Sequence, residues 1–254
     1  MAYGRRRSRY GYGGYGYGSY FHSTTGAEVS ALARKTIERA AKKGIEYHQI
    51  FPVNQRTVAA TWWGKSWCDN LQRYSDFSNR LPRGRKYLNA GGVLKLEISE
   101  GQADAVVQGS GTEPYRIRIQ VDPLNKRRTK EIEEACSNGI KTMDDLLKGR
   151  FPDELKHLFF APDGLFPRPG EIHFSCSCPD YASMCKHVAA AMYAVGIILD
   201  QNPSRFFLLR GIQADKLIAG ALDNRVDRML KNARKKSSRT IGDEEEVAAL
   251  FGLF

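Results

Sequence analysis

Cys176, Cys178, Cys185 and His187 form a Cys-x-Cys-x6-Cys-x-His array. No other feature constrains the chain as tightly. Three thiolates and one imidazole complete a tetrahedral zinc shell and leave no position for water or substrate. A closed shell organises a fold and does not carry out a reaction. One structural Zn2+ is therefore the expected cofactor, no catalytic residue is assigned, and the chain reads as non-enzymatic.

On a flat strand Cys176 and Cys178 would share a face with Cα atoms roughly 6.5 Å apart. Two sulfurs on one zinc lie only about 4 Å apart, so the chain must pinch or turn here. Pro179-Asp180 supplies turn chemistry. The preceding run, residues 171–175, alternates as a short strand, and Val188 to Val195 reads as a helix. The expectation is a strand–turn–helix knuckle around one metal. Two buried thiols, a surface thiol and an ordinary histidine form the bland alternative, which requires four good ligands to gather by chance. A Rieske centre needs two histidines and a ferredoxin cluster four cysteines. A zinc deaminase needs His-x-Glu, and none of the five histidines has Glu two residues on.

This array resembles the SWIM zinc finger of Swi/Snf-type ATPases and mutator-type transposases. The resemblance extends to Thr61-Trp62-Trp63-Gly64-Lys65-Ser66-Trp67-Cys68, to residues 74–85, and to Phe159-Phe160-Ala161-Pro162-Asp163-Gly164-Leu165-Phe166-Pro167. These stretches are similar to bacterial SWIM zinc-finger proteins over about residues 50–222. The resemblance implies a finger that engages nucleic acid or protein, and a companion Swi/Snf-type helicase-like ATPase.

At 254 residues the chain holds one large domain or two small ones. Its net charge of +11 favours a polyanionic partner or an anionic membrane surface. The longest apolar run, Val188 to Leu199, is too short to span a bilayer, which needs about 20 residues. Arginines near the N-terminus are not followed by an apolar segment, so a signal peptide is not expected. Cys68 and Cys136 are left over and read as free thiols in a reducing cytosol. The expected compartment is cytoplasmic, with nucleoid association as a variant of it.

The fold class expected is α+β: a three-stranded antiparallel sheet with helices, the small zinc-bound finger, and a helical C-terminal part. Residues 1–25 form a Gly/Tyr/Arg-rich tail without aliphatic residues beyond Ala2, expected to be disordered. It reads either as arginine for phosphate and tyrosine for bases, or as a permissive extension. An α+β domain follows over 26–130, opening with a helix between Gly26 and Gly44. Strands are expected at 93–98, 103–108 and 115–121, joined by Gly-containing turns. Residues 131–222 form a helical region holding the finger, about 171–200. Helices are expected at 125–137, 142–148 and 152–160, with a longer one through 217–230. The tail, 223–254, is basic, then acidic and apolar; its last segment suits either a docking peptide or a helix packed on its own domain.

Two motifs mislead. Ala59 to Ser66 imitates a phosphate loop and Ile197-Ile198-Leu199-Asp200 its acidic strand. Two tryptophans occupy the place where small residues must let backbone N–H groups converge, and Asp200 falls at the end of a helix. Trp63, Trp67, Leu71 and Tyr74 fit one packed helical face instead.

Arg80 to Lys86 reads as a Pro/Gly turn with four basic groups. Arg83, Arg85 and Lys86, with Arg116 and Arg118 on the third strand's outer face, are the candidate nucleic-acid contacts. A solvated loop is the alternative. Within the finger, Tyr181 and Met184 either anchor a protein partner or cap the small core over the metal. The functional expectation is a DNA-associated accessory factor, DNA ahead of RNA, beside a Swi/Snf-type ATPase. A protein–protein adaptor and an RNA-binding protein are the alternatives.

Overall fold

Alternating apolar residues build one antiparallel sheet from Val93–Ser99 (β1), Gln102–Val107 (β2), Tyr115–Val121 (β3) and Ile172–Cys176 (β4), in that spatial order. The computed structural model describes residues 24–139, 153–161, 163–213, 226 and 229–232. The N-terminal tail, the helix expected at 142–148, and most of the expected C-terminal helix and tail lie outside these residues. Residues 226 and 229–232 are helical, with Val226, Met229 and Leu230 exposed.

The expected three-stranded sheet is four-stranded. The strand assigned to the finger alone pairs with β3, placing Ile172 opposite Val121, Phe174 opposite Ile119 and Cys176 opposite Ile117. Its inward residues continue the apolar face of β3, so pairing buries them and satisfies the β3 edge at once. The sheet thereby runs across residue 130. One row of side chains crosses all four strands, Leu96–Ala105–Ile117–Cys176, and delivers the first cysteine to the inner face.

Helix α6 (Lys186–Gln201) packs against all four strands on that face and is buried along nearly its whole length. (Helices are numbered α1 to α7 along the chain.) An apolar surface all round is what a central helix needs. Its far side is covered by α2 (Trp62–Asn70) and α3 (Arg80–Asn89). As expected, Trp63 and Trp67 are core residues. Each indole N–H donates to a carbonyl of α6, Leu199 and Met192 respectively, at 2.9 Å. Buried tryptophan thus keeps its one donor satisfied.

The stretch Arg80–Lys86, expected as a turn, is helical. Pro82 is the third residue of α3, where its missing N–H is one the first turn leaves unpaired anyway. Gly84 acts as a contact surface. A Cβ there would lie 2.5 Å from the Ala189 Cβ and 2.8 Å from the backbone of α6. Only glycine lets the two helices approach this closely.

Helix α1 (Gly26–Ala41) opens with a capping box between Thr25 and Glu28 and buries Val29, Ala33, Thr36 and Ala40. Helices α4 (Lys126–Gly139), α5 (Asp153–Phe160) and α7 (Ser204–Leu209) complete the described structure. The last was not anticipated. It places Phe206 with its ring centroid 5.9 Å from Trp67, 5.2 Å from Phe159 and 5.4 Å from Phe166. Arg210, buried just after α7, donates to the Asp122 carbonyl at 2.7 Å and to Glu171 at 3.4 Å, tying this corner to the ends of β3 and β4. Among the described residues no helix is long and apolar enough to cross a membrane.

Candidate metal centre

β4 ends at Cys176, and the next residue stays on the sheet. Ser177 N–H donates to the Arg116 carbonyl, and its hydroxyl accepts from the Arg116 N–H, both at 3.0 Å. The chain then leaves the sheet, which turns Cys178 back toward Cys176. Cys185 is the N-cap of α6, its sulfur accepting from the Val188 N–H at 3.4 Å. His187, the second residue of that helix, places Nδ1 3.8 Å from the Cys185 sulfur. The three sulfurs and the imidazole nitrogen lie within 4.8 Å of one another.

These residues fit zinc. The donor set is soft sulfur plus imidazole, and the separations approach the edges of a tetrahedron with metal–ligand bonds of about 2.0–2.3 Å. Cys185 is held down at about 4, chiefly by the hydrogen bond from Cys176 and then by His187. Cys176 is pushed up because it is the donor in that bond. A thiolate is thus favoured at Cys185, whereas Cys178, like Cys176, is raised, in its case by burial, so a metal binding here would displace protons from both. Zinc bound here would hold the end of β4 to the start of α6. The bound shell is filled by protein, so it supplies cross-linking and no reactive position.

The His187 ring is packed between Tyr115, at 4.5 Å between centroids, and Tyr87, at 5.4 Å. Gly109 lies against the same ring, since a Cβ there would sit 3.1 Å from Nε2 and 2.2 Å from the Tyr115 ring. Cys68 and Cys136 take no part. Burial pushes both thiols up to about 12.

The SWIM zinc finger family matches residues 173–196, which contain all four ligands. This chain carries a SWIM zinc finger. The uncharacterized protein Rv2102 of Mycobacterium tuberculosis is 35% identical over 173 residues, 67% of this chain and 62% of its own. The chain therefore spans about three-fifths of the length of the curated relative it matches. No solved structure matches.

The loop of the SWIM finger is stitched to the start of α3 and the segment before it. Asp180 pairs with Arg80 at 3.1 Å and accepts from the Ala182 N–H. Asp76 accepts from the backbone N–H and hydroxyl of Ser183 at 2.9 and 3.2 Å. Between the finger, α1 and α3 runs a groove of about 970 Å³, whose walls include Leu32, Arg80, Arg83, Tyr115, Tyr181 and Lys186.

The five candidate nucleic-acid residues do not share one surface. Arg83 lines this groove. Arg85 points to the opposite flank of α3, where it donates to the Arg56 carbonyl. Lys86 is exposed and donates to the Thr24 carbonyl at 3.0 Å. Arg116 and Arg118 stand on the outer face of the sheet, Arg118 paired with Asp104 at 2.9 Å. The proposed protein-docking pair also divides. Tyr181 is fully exposed, whereas Met184 is wholly buried in the core and offers no anchor. Lys186 is the one lysine or arginine between residues 171 and 200, and α3 brings Arg80 and Arg83 into the same groove.

Proposed function

We propose that this protein is a non-enzymatic, DNA-associated accessory factor in which the SWIM finger forms one wall of the nucleic-acid site. The observation that carries this reading is the groove itself. It joins Arg83 of α3 to Lys186 and Tyr181 of the finger, in a chain of net charge +11. Arg80 in the same wall is matched by Asp180, and Arg83 and Lys186 outnumber the one remaining carboxylate, Glu28, so the lining stays positive. Backbone contacts of this sort bind many sequences alike and weaken steeply with salt. A salt series with unrelated DNA sequences tests the reading: affinities should fall together between about 50 and 200 mM salt.

The companion is a Swi/Snf-type helicase-like ATPase, in keeping with the SWIM resemblance, and the compartment is the cytoplasm. Capture of such an ATPase by the intact chain, with and without nuclease, tests the partnership. An adaptor reading retains one specific support, the full exposure of Tyr181 on the finger.

A further inference from the structure

The walls of the finger groove differ in chemistry. Arg83 and Lys186 have no carboxylate partner among the described residues, and the Lys186 ammonium lies 5.3 Å from the Tyr87 ring centroid. Asp180 is neutralised by Arg80, and Glu28 on the far wall accepts the Thr25 N–H at 2.6 Å. Between these charges the lining sets apolar and aromatic side chains, Ala31, Leu32, Tyr115 and the fully exposed Tyr181, beside Thr24, Ser110 and the ligands Cys178 and His187.

A duplex keeps its bases stacked within and offers a protein only phosphates and groove edges. Ala31, Leu32 and the tyrosine rings would gain nothing from it. An unpaired strand can lower a base into such a recess while its phosphates stay at the rim. Aromatic faces accept any base, and cations beside them track the backbone.

Resting on the DNA association proposed above, we infer that the groove seats an unpaired DNA strand, with a base stacked on Tyr181 and phosphates held by Arg83 and Lys186. The finger then presents Tyr181 from a loop tied down on either side of it, through Asp180 and Ser183.

The test uses the full zinc-loaded chain. Fluorescence anisotropy would compare a labelled single-stranded oligodeoxynucleotide with the duplex of the same sequence. The single strand should bind about tenfold more tightly, and Tyr181→Ala should cost it about tenfold and cost the duplex far less. Tyr181→Phe, which keeps the ring, should stay within about twofold of the unaltered protein. Tyr181 has no buried surface to lose, and unchanged zinc content in each variant would exclude a damaged finger. If the chain binds neither form, the DNA association falls and the groove with it. If it binds both forms equally, or Tyr181→Ala weakens neither, the association stands and the stacking groove is overturned.

Discussion

Gly84 of α3 lies so close to Ala189 of α6 that a methyl group added there would overlap both its side chain and its backbone. This contact carries Arg83 to the rim of the finger. Gly84→Ala should therefore destabilise the protein by about 1–3 kcal/mol through overpacking, despite the better helix propensity of alanine. Gly84→Val should cost more. Chemical denaturation would show it as a lower midpoint with an unchanged slope.

The zinc cluster should matter to folding and to nothing chemical. Cys185→Ser keeps a side chain able to cap α6 but removes a thiolate ligand. Elemental analysis should give one zinc per chain for the unaltered protein and a loss in this variant, with a lowered melting temperature. Structural zinc contributes on the order of 10 kcal/mol in isolated fingers.

Asp200 accepts the N–H groups of Ala60 and Thr61 at 2.9 and 2.7 Å and also the Thr61 hydroxyl. Thr61 in turn caps α2. The carboxylate that imitates a nucleotide site thus fastens α2 to the end of α6. Asp200→Ala should cost about 1.5–3 kcal/mol, the range for bonds to a charged group, measured by thermal unfolding.

Thiol chemistry separates the cysteines. Cys68 and Cys136, both at about 12, carry almost no thiolate at neutral pH. Native zinc-loaded protein should react slowly with iodoacetamide, and chelation should expose Cys176, Cys178 and Cys185. The raised values also have a stability consequence. The folded state prefers the neutral thiols, so their contribution is intact below about pH 9 and declines as pH rises toward about 12. Cys136→Ala should flatten that alkaline decline in a pH series of unfolding midpoints.

The parts of this fold that repeat at short range were legible in the sequence. Period-two runs marked β1 to β4, and the tryptophan spacing marked a packed helix. The four ligands named their own metal. Contacts between distant segments were not legible. Nothing local to residues 171–176 says that β4 closes on β3, because pairing is decided by a strand fifty residues earlier. Pro82 and Gly84 resemble turn residues until the start of α3 makes one harmless and the close approach of α6 makes the other necessary. Met184 and Tyr181 differ only in which side of the finger loop they occupy, and burial separates them completely.

The central claim is that the SWIM finger and α3 together form the nucleic-acid site. The direct measurement is the salt dependence of DNA binding by Arg83→Ala/Lys186→Ala against Arg116→Ala/Arg118→Ala, each at full zinc content. The account predicts that the first pair weakens all sequences alike and flattens the slope of log affinity against log salt by about 1.4–1.8. The second pair should change both far less. Unchanged affinity and slope in Arg83→Ala/Lys186→Ala would contradict it.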